Sequence, residues 1–471
     1  MRTITIDPVT RIEGHARVLL DLGDDDTLRS ARLVVNELRG FERILVGMQA
    51  DQMPLVTARI CGICPVPHAL AATLALEEAF GIAPPPAAVA VRELLSAGHL
   101  VHSHALHLFA LGGPDLYFGL AGDPARRNVV GLAEAEPDLA RKALRLRSLG
   151  QKLVEALGGR GVHPVTLVLG GISFQPGAEQ LASLGAGAEE MVALSRELAG
   201  RARELLLRLV EREPALLEAA VPSADLSLVA DGKVNHCRGL LRLCGADGAV
   251  LAEIPGREYA AHLEERGCDW SYMKPVVFKL GGTETTYRVG PLARVNVADG
   301  MATPLAQAEL EAFRAAFPRP CHLTVMQHWA RIVELVWACE AAQALLADPA
   351  LRGPTRAPAR VGAGRGVGCV EAPRGTLIHE YEVDGKGIVR KANLLIATQQ
   401  NSHAIDRSLE QAARAHVAGK GDAAVLNAVE FAIRCYDPCL SCATHAVGRM
   451  PILVEVRRGG APVRTIRREG W

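Results

Sequence analysis

The chain has 471 residues, of which 49% are hydrophobic and 22% are charged, so it can bury a large core and is not expected to be disordered. Lys plus Arg and Asp plus Glu each number 52, which gives a formal net charge of zero and favours neither nucleic acid nor anionic membrane as a partner. Eleven cysteines scattered over this length indicate a reducing compartment and argue against a disulfide framework.

The N-terminal segment MRTITIDPVTRIEGH predicts no secretory signal, because it lacks a basic start, an apolar core and a small-residue cleavage site. No stretch of about twenty apolar residues predicts a membrane span. We therefore expect a soluble, cytoplasmic protein. Alternating runs at residues 15–22 and 28–35, joined by a polar turn, predict a β-hairpin with Glu13 at the entrance to its first strand.

Helical periodicity dominates the rest of the chain. It predicts helical segments at residues 68–80, 91–111, 137–157, 178–210, 304–346 and 404–434. Asp-Gly dipeptides at 247–248 and 384–385 predict hairpin turns, and residues 221–300 are predicted to be a β-containing insertion. The expected fold class is α+β: mainly helical, with a long-helix core and small peripheral β-elements, in a single domain over residues 1–471.

A glycine-rich run, GAGRGVG at residues 362–368, invites a nucleotide-loop interpretation. It fits neither the Rossmann fingerprint nor the P-loop, because the preceding strand and the Lys-Ser/Thr pair are missing. We interpret these glycines as letting the backbone approach the nearby EAPRG segment, residues 371–375, closely.

Two Cys-x-x-Cys pairs lie near opposite ends of the chain, Cys61 with Cys64 and Cys439 with Cys442. Four thiolates suit one tetrahedral zinc site, yet zinc ribbons and fingers place their pairs a few tens of residues apart, whereas 378 positions separate Cys64 from Cys442 here. A thioredoxin-like redox pair is a second alternative, although neither pair lies in a recognisable βαβ unit. Thiolate also suits nickel, iron and copper, so the spacing alone leaves the metal open.

The segments that flank these cysteines narrow the choice. In chain order they are DPVTRIEGH (7–15), RGFE (39–42), RICGICPVPH (59–68), EAPRG (371–375) and DPCLSCATH (437–445). Together they resemble the large subunit of a nickel-iron hydrogenase, in that family's order and over nearly the whole chain. SHALHLF with PDLY, RNVVGL and THAVGRMP resemble the soluble, cofactor-coupled type. The resemblance implies a helical bundle with the metal buried at its centre.

The resemblance also implies the cofactor. Nickel would be bound by all four cysteines, with Cys64 and Cys442 bridging to an iron that carries carbon monoxide and two cyanides. Soft thiolates suit nickel, and the bridges keep the second metal close. Residues that match the binding pocket of these small ligands are Pro373, Arg374 and Thr398. A separate hard-cation site, for magnesium or iron, would use Glu42 and His445.

The implied reaction is reversible, heterolytic cleavage of dihydrogen, which requires a base near the metals. We favour the thiolate of Cys439 over the guanidine of Arg374, because arginine stays protonated in proteins. Arg374 is then the electrostatic partner of Asp115 and Asp437. Glu13 would pass the proton outward, and the alternative is that it only forms an ion pair with Arg11. No ligand role is assigned to the histidines of the 91–111 segment, His99, His102, His104 and His107.

Electrons must leave the site, and the chain has no further cysteine cluster for an iron-sulfur relay. The resemblance implies further electron-transfer subunits, beginning with an iron-sulfur small subunit and leading to NAD(P), the deazaflavin of methanogens or heterodisulfide reductase. It also implies nickel-insertion proteins and a maturation protease that cuts between His445 and Ala446. The 471-residue chain would then be an inactive precursor. Alternatively, MPILVEV in the 446–471 extension pairs permanently with a sheet edge.

Two other classes of protein remain as alternatives. One is a zinc-stabilised structural protein, which would use the same four cysteines. The other is the metal-free, quinone-pocket subunit of complex I, a relative of the hydrogenases that lacks the two cysteine pairs. The presence of both pairs here argues against it.

Overall fold

The computed structural model describes residues 2–6, 9–23, 27–35, 40–268, 270–417, 422–440, 452–458 and 461–468. Its α-helices are α1 Phe41–Leu45, α2 Met53–Thr57, α3 Pro65–Phe80, α4 Pro86–Leu106, α5 Gly113–Phe118, α6 Val129–Ala135, α7 Pro137–Gly158, α8 Ala178–Arg212, α9 Tyr259–His262, α10 Pro291–Val297, α11 Pro304–Ala316, α12 Gln327–Leu346, α13 Ala397–Gln400, α14 Ser402–Val417 and α15 Asp422–Tyr436. Among the described helices, none is both long and apolar enough to cross a membrane.

The strands are short and group into small sheets. They are β1 Arg2–Ile6, β2 Arg17–Leu22, β3 Leu28–Val34, β4 Leu167–Val168, β5 Gly171–Ile172, β6 Ala224–Ala230, β7 Lys233–Val234, β8 Leu240–Cys244, β9 Val250–Pro255, β10 Leu263–Glu265, β11 Val276–Leu280, β12 Thr283–Thr285, β13 Tyr287–Arg288, β14 Gly364–Ala372, β15 Gly375–Val383, β16 Val389–Leu395, β17 Ile452–Arg458 and β18 Ala461–Arg468.

Long helices form the core. Helix α4 packs between α7 and α12, and the 35-residue α8 lies across α7 and α12. Helix α8 buries a stripe made mostly of Leu and Ala side chains and leaves its charged residues exposed or half-buried, as an amphipathic helix does. The predicted α+β class, mainly helical with small β-elements, is confirmed.

Each predicted hairpin is present. Strands β2 and β3 pair antiparallel on either side of the polar turn, and β8–β9 and β15–β16 flank the two Asp-Gly turns. The first hairpin belongs to a sheet of order β18-β17-β1-β2-β3. Strand β17, which contains ILVEV of the C-terminal extension, pairs with β1, so in this structure the extension adopts the sheet-edge arrangement considered above.

The predicted helical stretch at 304–346 is interrupted. Helix α11 ends at Ala316 and α12 begins at Gln327. Pro318 and Pro320 lie between them, and proline lacks the N–H that a continuing helix needs while restricting the residue before it.

The glycine-rich run has a different role from the one predicted. It is itself a strand, β14, and it packs against α3 rather than folding back on EAPRG. A Cβ on Gly364, Gly366 or Gly368 would lie 2.0 to 2.1 Å from a backbone carbonyl oxygen of α3. Strand alternation puts these three glycines on one face, so the strand backbone rests directly on the helix that follows Cys64.

Candidate metal centre

Three of the four motif cysteines meet in the interior. The Sγ of Cys439 lies 3.2 Å from the Sγ of Cys61 and 3.8 Å from that of Cys64. All three side chains are buried, and their Sγ atoms lie within 4.8 Å of one another. In the described part of the chain, no other group of three potential ligands is as close. Cys442 lies outside the described residues.

Local structure holds the first cysteine pair. Cys61 ends a short 3-10 turn, and Cys64 is the residue before the Pro-initiated helix α3. The backbone N–H groups of Ile63 and Cys64 donate to the Sγ of Cys61 over 3.3 and 3.1 Å. Donors of this kind favour the thiolate over the thiol.

Cys439, the described member of the second pair, is brought to the first pair by long-range backbone contacts. Glu13 and Cys439 form an isolated parallel β-bridge, and the N–H of Leu440 donates to the carbonyl oxygen of Glu13 over 3.0 Å. The N–H of Cys439 donates to Oγ1 of Thr398, also over 3.0 Å. The predicted site residues Glu13, Thr398 and Cys439 are therefore direct neighbours.

The electrostatics of the cluster suit a cation. Hydrogen bonds to Cys439 and Cys61, together with burial and the charges of both neighbours, raise the pKa of the Cys64 thiol well above its usual value. Three buried thiolates at this separation repel one another unless a cation lies among them. The donor set fits a thiophilic metal such as nickel, iron or zinc.

Arg374 and Asp437 lie beside the cysteines as a buried pair. Nε of Arg374 donates to the carbonyl oxygen of Asp437 over 2.6 Å, and its Nη2 donates to the Asp437 carboxylate over 3.1 Å. Burial disfavours both charges, but the negative charges of Asp437 and the cysteines raise the pKa of Arg374 above its usual value. Within the described residues, Nη1 of Arg374 has no hydrogen-bond partner although the residue is only 3% exposed. This orphaned donor fits an acceptor supplied by a bound group.

The predicted pairing of Arg374 with Asp115 is wrong. Asp115 lies on α5, where it receives hydrogen bonds from Arg11 over 2.6 Å and from Arg434 over 2.8 Å, with Arg127 3.5 Å away. Burial alone would raise the pKa of Asp115, but these cations lower it. Asp115 thus joins α5, α15 and the N-terminal loop. Arg11, the ion-pair partner considered for Glu13, forms its salt bridge with Asp115.

His107 lies next to the site, although the sequence analysis assigned it no ligand role. Its Nδ1 lies 3.1 Å from the carboxylate of Asp437, in a π-helical turn that continues α4. Burial lowers the pKa of His107 to about 4, so at neutral pH the ring is uncharged and its approach to the carboxylate is not an ion pair. The i, i+3 spacing of His104 and His107, which puts both on one helix face, was the available signal.

The second predicted cation site is described only in part. Glu42 is half-buried in the first turn of α1. His445 and the 445–446 junction lie outside the described residues, as does Arg39 of RGFE.

Comparison with known proteins places this geometry in a family. The family model for nickel-dependent hydrogenase matches residues 39–118 and 254–445, and one described as HoxL-like matches residues 3–38.

Individual relatives agree with the family models. The chain is 40% identical over 415 residues to one of the subunits of the F420-non-reducing hydrogenase vhu of Methanococcus voltae, covering 88% of this chain and 98% of that one. It is 37% identical to the beta subunit of the NAD-reducing hydrogenase HoxS of Cupriavidus necator, covering 97% of each. A crystal structure of an NAD+-reducing NiFe hydrogenase in the H2-reduced state matches with a TM-score of 0.89 at 38% identity, over 94% of this chain and 99% of that one. These matches favour a hydrogenase over both alternatives, and the chain therefore belongs to the nickel-dependent hydrogenase family, as a catalytic large subunit.

Proposed function

We propose that this chain interconverts dihydrogen with two protons and two electrons at a nickel-iron group held by Cys61, Cys64, Cys439 and Cys442. The observation that carries the proposal is the meeting of three buried cysteine Sγ atoms within 4.8 Å, from motifs at opposite ends of the chain. When bound, the metals polarise dihydrogen, which has neither charge nor dipole, so that it can be split heterolytically.

In this proposal Cys64 and Cys442 would also hold an iron, whose remaining ligands would be carbon monoxide and two cyanides. The orphaned Nη1 of Arg374 supports an acceptor such as a cyanide nitrogen beside it. Thr398 accepts the N–H of Cys439 through its oxygen, so its hydroxyl hydrogen is available for a second acceptor. Pro373, next to Arg374 at the hairpin tip, completes the pocket.

The thiolate of Cys439 is the proposed proton acceptor. Arg374 is engaged with Asp437 through two nitrogens, and a guanidinium beside a buried carboxylate keeps its proton. Arg374 and Asp437 instead fix the backbone two residues before Cys439. Nδ1 of His107 lies 3.1 Å from the same carboxylate.

Glu13 is the proposed next carrier of the proton. It is 8% exposed, and its backbone pairs with that of Cys439, which keeps the two residues adjacent. A carboxyl group in such a buried position can exchange a proton with a nearby thiol and pass it outward. Asp115, in contrast, is proposed to hold the surrounding helices together through its arginines.

Glu42 and His445 are proposed to bind a second cation, magnesium or iron, through a carboxylate and an imidazole. Removal of residues 446–471 after His445, by a maturation protease and following nickel insertion, is proposed to give the working enzyme. Intact-mass measurement on active, nickel-loaded protein tests this, because a chain that still ends at Trp471 would refute it.

The electrons are proposed to pass to an iron-sulfur small subunit, since the described residues contain no second metal cluster of three ligands. The relatives are named as subunits of larger hydrogenases, NAD-reducing or F420-non-reducing, which supports a multi-subunit, cofactor-coupled enzyme. Identifying the chains that co-purify distinguishes NAD(P), deazaflavin and heterodisulfide reductase as the acceptor.

Elemental analysis and infrared spectroscopy of the purified protein test the metal group. We expect nickel and iron together, with absorption bands of iron-bound carbon monoxide and cyanide. Zinc without nickel or iron would overturn the proposal in favour of a structural site. An active, metallated sample without these bands would refute the diatomic ligands.

Replacing Arg374 by Lys tests the choice of base. We expect intact metals and a moderate loss of turnover, because lysine keeps the charge but loses the paired contacts to Asp437. A loss of many orders of magnitude with intact metals would identify the guanidine as the base.

A further inference from the structure

One buried arginine is hydrogen-bonded to the tip of the β14–β15 hairpin, which carries Arg374. Arg294 lies on α10 and is fully buried. Its Nη1 donates to the carboxylate of Glu371 over 2.6 Å and to the carbonyl oxygen of Ala372 over 3.0 Å. Its Nη2 donates to the carbonyl oxygen of Pro373 over 3.2 Å and to Glu334 over 2.7 Å, and its Nε donates to the same Glu334 carboxylate. All five N–H groups of this guanidinium therefore have an acceptor.

The hairpin tip packs directly against the start of α10. Ala372 pairs with Gly375, so Pro373 and Arg374 form a two-residue turn. Gly375 has a φ of +134°, and a Cβ there would lie 2.4 Å from Cγ2 of Val289. A Cβ on Gly290 would lie 2.8 Å from the carbonyl oxygen of Arg374. The start of α10 and the turn are thus in direct backbone contact.

The carboxylates on both sides of Arg294 are themselves fixed. Glu334 of α12 accepts a hydrogen bond from Nε2 of His104 on α4 over 2.9 Å. Glu371 accepts from the N–H of Leu228 over 2.9 Å and from Thr376 over 2.7 Å. Arg294 is therefore connected to α12 and α4 through Glu334, and to the hairpin through its other hydrogen bonds.

We propose that Arg294 is a positioning residue for Arg374. It fixes the backbone of residues 371–373, and so sets where the Arg374 guanidinium meets Asp437 and the bound group. The inference rests on the proposed function of Arg374 at the nickel-iron group. Among the described residues, the hydrogen bonds of Arg294 go to Glu334 and to residues 371–373 and none goes to Cys61, Cys64 or Cys439, so it acts through the turn.

Lysine cannot replace this arginine. An ammonium group has three N–H donors on a flexible stem, whereas the five acceptors here are arranged around a planar fork. In Arg294→Lys at least two acceptors lose their donor, and the turn can shift. Displacements of about 1 Å at a catalytic group cost on the order of 100-fold in rate.

Arg92→Lys is a matched control. Arg92 is also buried, donates through two nitrogens to the Glu77 carboxylate over 2.7 Å each, and donates to the carbonyl oxygens of Val168 and Gly171. It joins α4 to the far end of α3, away from the cysteines. Its replacement therefore reproduces the loss of a buried guanidinium fork without touching the hairpin tip.

The test compares both variants with the wild-type enzyme by metal content, infrared spectrum and turnover. In Arg294→Lys we expect the cyanide bands to shift or broaden and turnover to fall by about 10- to 100-fold at an unchanged KM for dihydrogen. In Arg92→Lys we expect wild-type bands. Bands and turnover of Arg294→Lys that match the wild type overturn the inference, and so do bands that shift equally in both variants.

Two further outcomes are decisive. If Arg294→Lys is folded but lacks nickel while Arg92→Lys retains it, the inference is overturned, because Arg374→Lys is expected to keep the metals and a displaced Arg374 alone would not remove them. If Arg294→Lys is insoluble, Glu334→Gln is tested in its place, because removing the Glu334 charge weakens the hydrogen bonds that fix Arg294. Band shifts smaller than those expected for Arg294→Lys then support the inference, and a wild-type spectrum overturns it. Failure of the proposed function is distinguishable, since the wild-type protein would then show no cyanide bands at all.

Discussion

Substitution of Gly368 by alanine tests the contact between β14 and α3, the helix that begins directly after the first cysteine pair. The new Cβ would lie 2.0 Å from the carbonyl oxygen of Ala71 and 2.7 Å from the N of Ala75. Ordinary contact begins at 3.4 Å, so strand β14 and helix α3 must separate locally by about 1.4 Å. Both obstructing atoms belong to a helix backbone, which cannot rotate away as a side chain does. We expect the upper end of the usual cost of overpacking, about 3 kcal/mol.

The assay is chemical unfolding of the purified chain, read with its nickel content. Gly368→Ala should unfold at a lower denaturant concentration than the wild type. Its nickel content should also fall, because α3 begins directly after Cys64. Gly385→Ala is the control: no atom lies within 4 Å of a Cβ there, and it should unfold like the wild type. If both variants unfold at the wild-type midpoint, the backbone contact between β14 and α3 is not as close as described.

Three further predictions concern the site and its pH dependence. Glu13→Gln should retain the metals yet evolve hydrogen from reduced dye more slowly, because the amide cannot carry a proton. Cys64→Ser should lose nickel, since a hydroxyl is a poor ligand for a soft metal, whereas Cys339→Ser should keep it because Cys339 is buried in the helical core. Burial raises the pKa of Asp406 to about 7, although its carboxylate accepts the N–H of Leu33. The folded state therefore keeps a proton that the unfolded state releases near pH 4. As the pH rises from 4 to 7, this carboxyl group lowers the free energy of unfolding. Asp406→Asn should be more stable than the wild type at pH 8 and similar to it at pH 4.

Each of these predictions has an outcome that contradicts it. A wild-type rate of hydrogen evolution in Glu13→Gln would remove that residue from the proton path. Equal nickel content in Cys64→Ser and Cys339→Ser would show that Cys64 does not bind the metal. Parallel stability curves of wild type and Asp406→Asn between pH 4 and 8 would show that the carboxyl group does not titrate as described.

Local pattern determined the elements and the chemistry of the site. The first hairpin followed from two alternating runs around a polar turn, two others followed from Asp-Gly turns, and α3 followed from Pro65 after the first cysteine pair. The cysteine motifs predicted one shared cluster, and Cys61, Cys64 and Cys439 do meet. The turns and the helix start could be predicted because they depend on residues close together in sequence, and the cluster because two pairs of metal-binding thiolates suit one common ion whatever their separation.

Only the tertiary structure decided which charged groups pair. Asp115 was assigned to Arg374, but the packing of α5 against α15 and the N-terminal loop gives it Arg434 and Arg11, which are 319 and 104 positions away in sequence. The glycines of β14 were assigned to the wrong neighbour for the same reason. A buried charge must find its partner among the elements that pack around it, and sequence spacing carries no information about which elements those are.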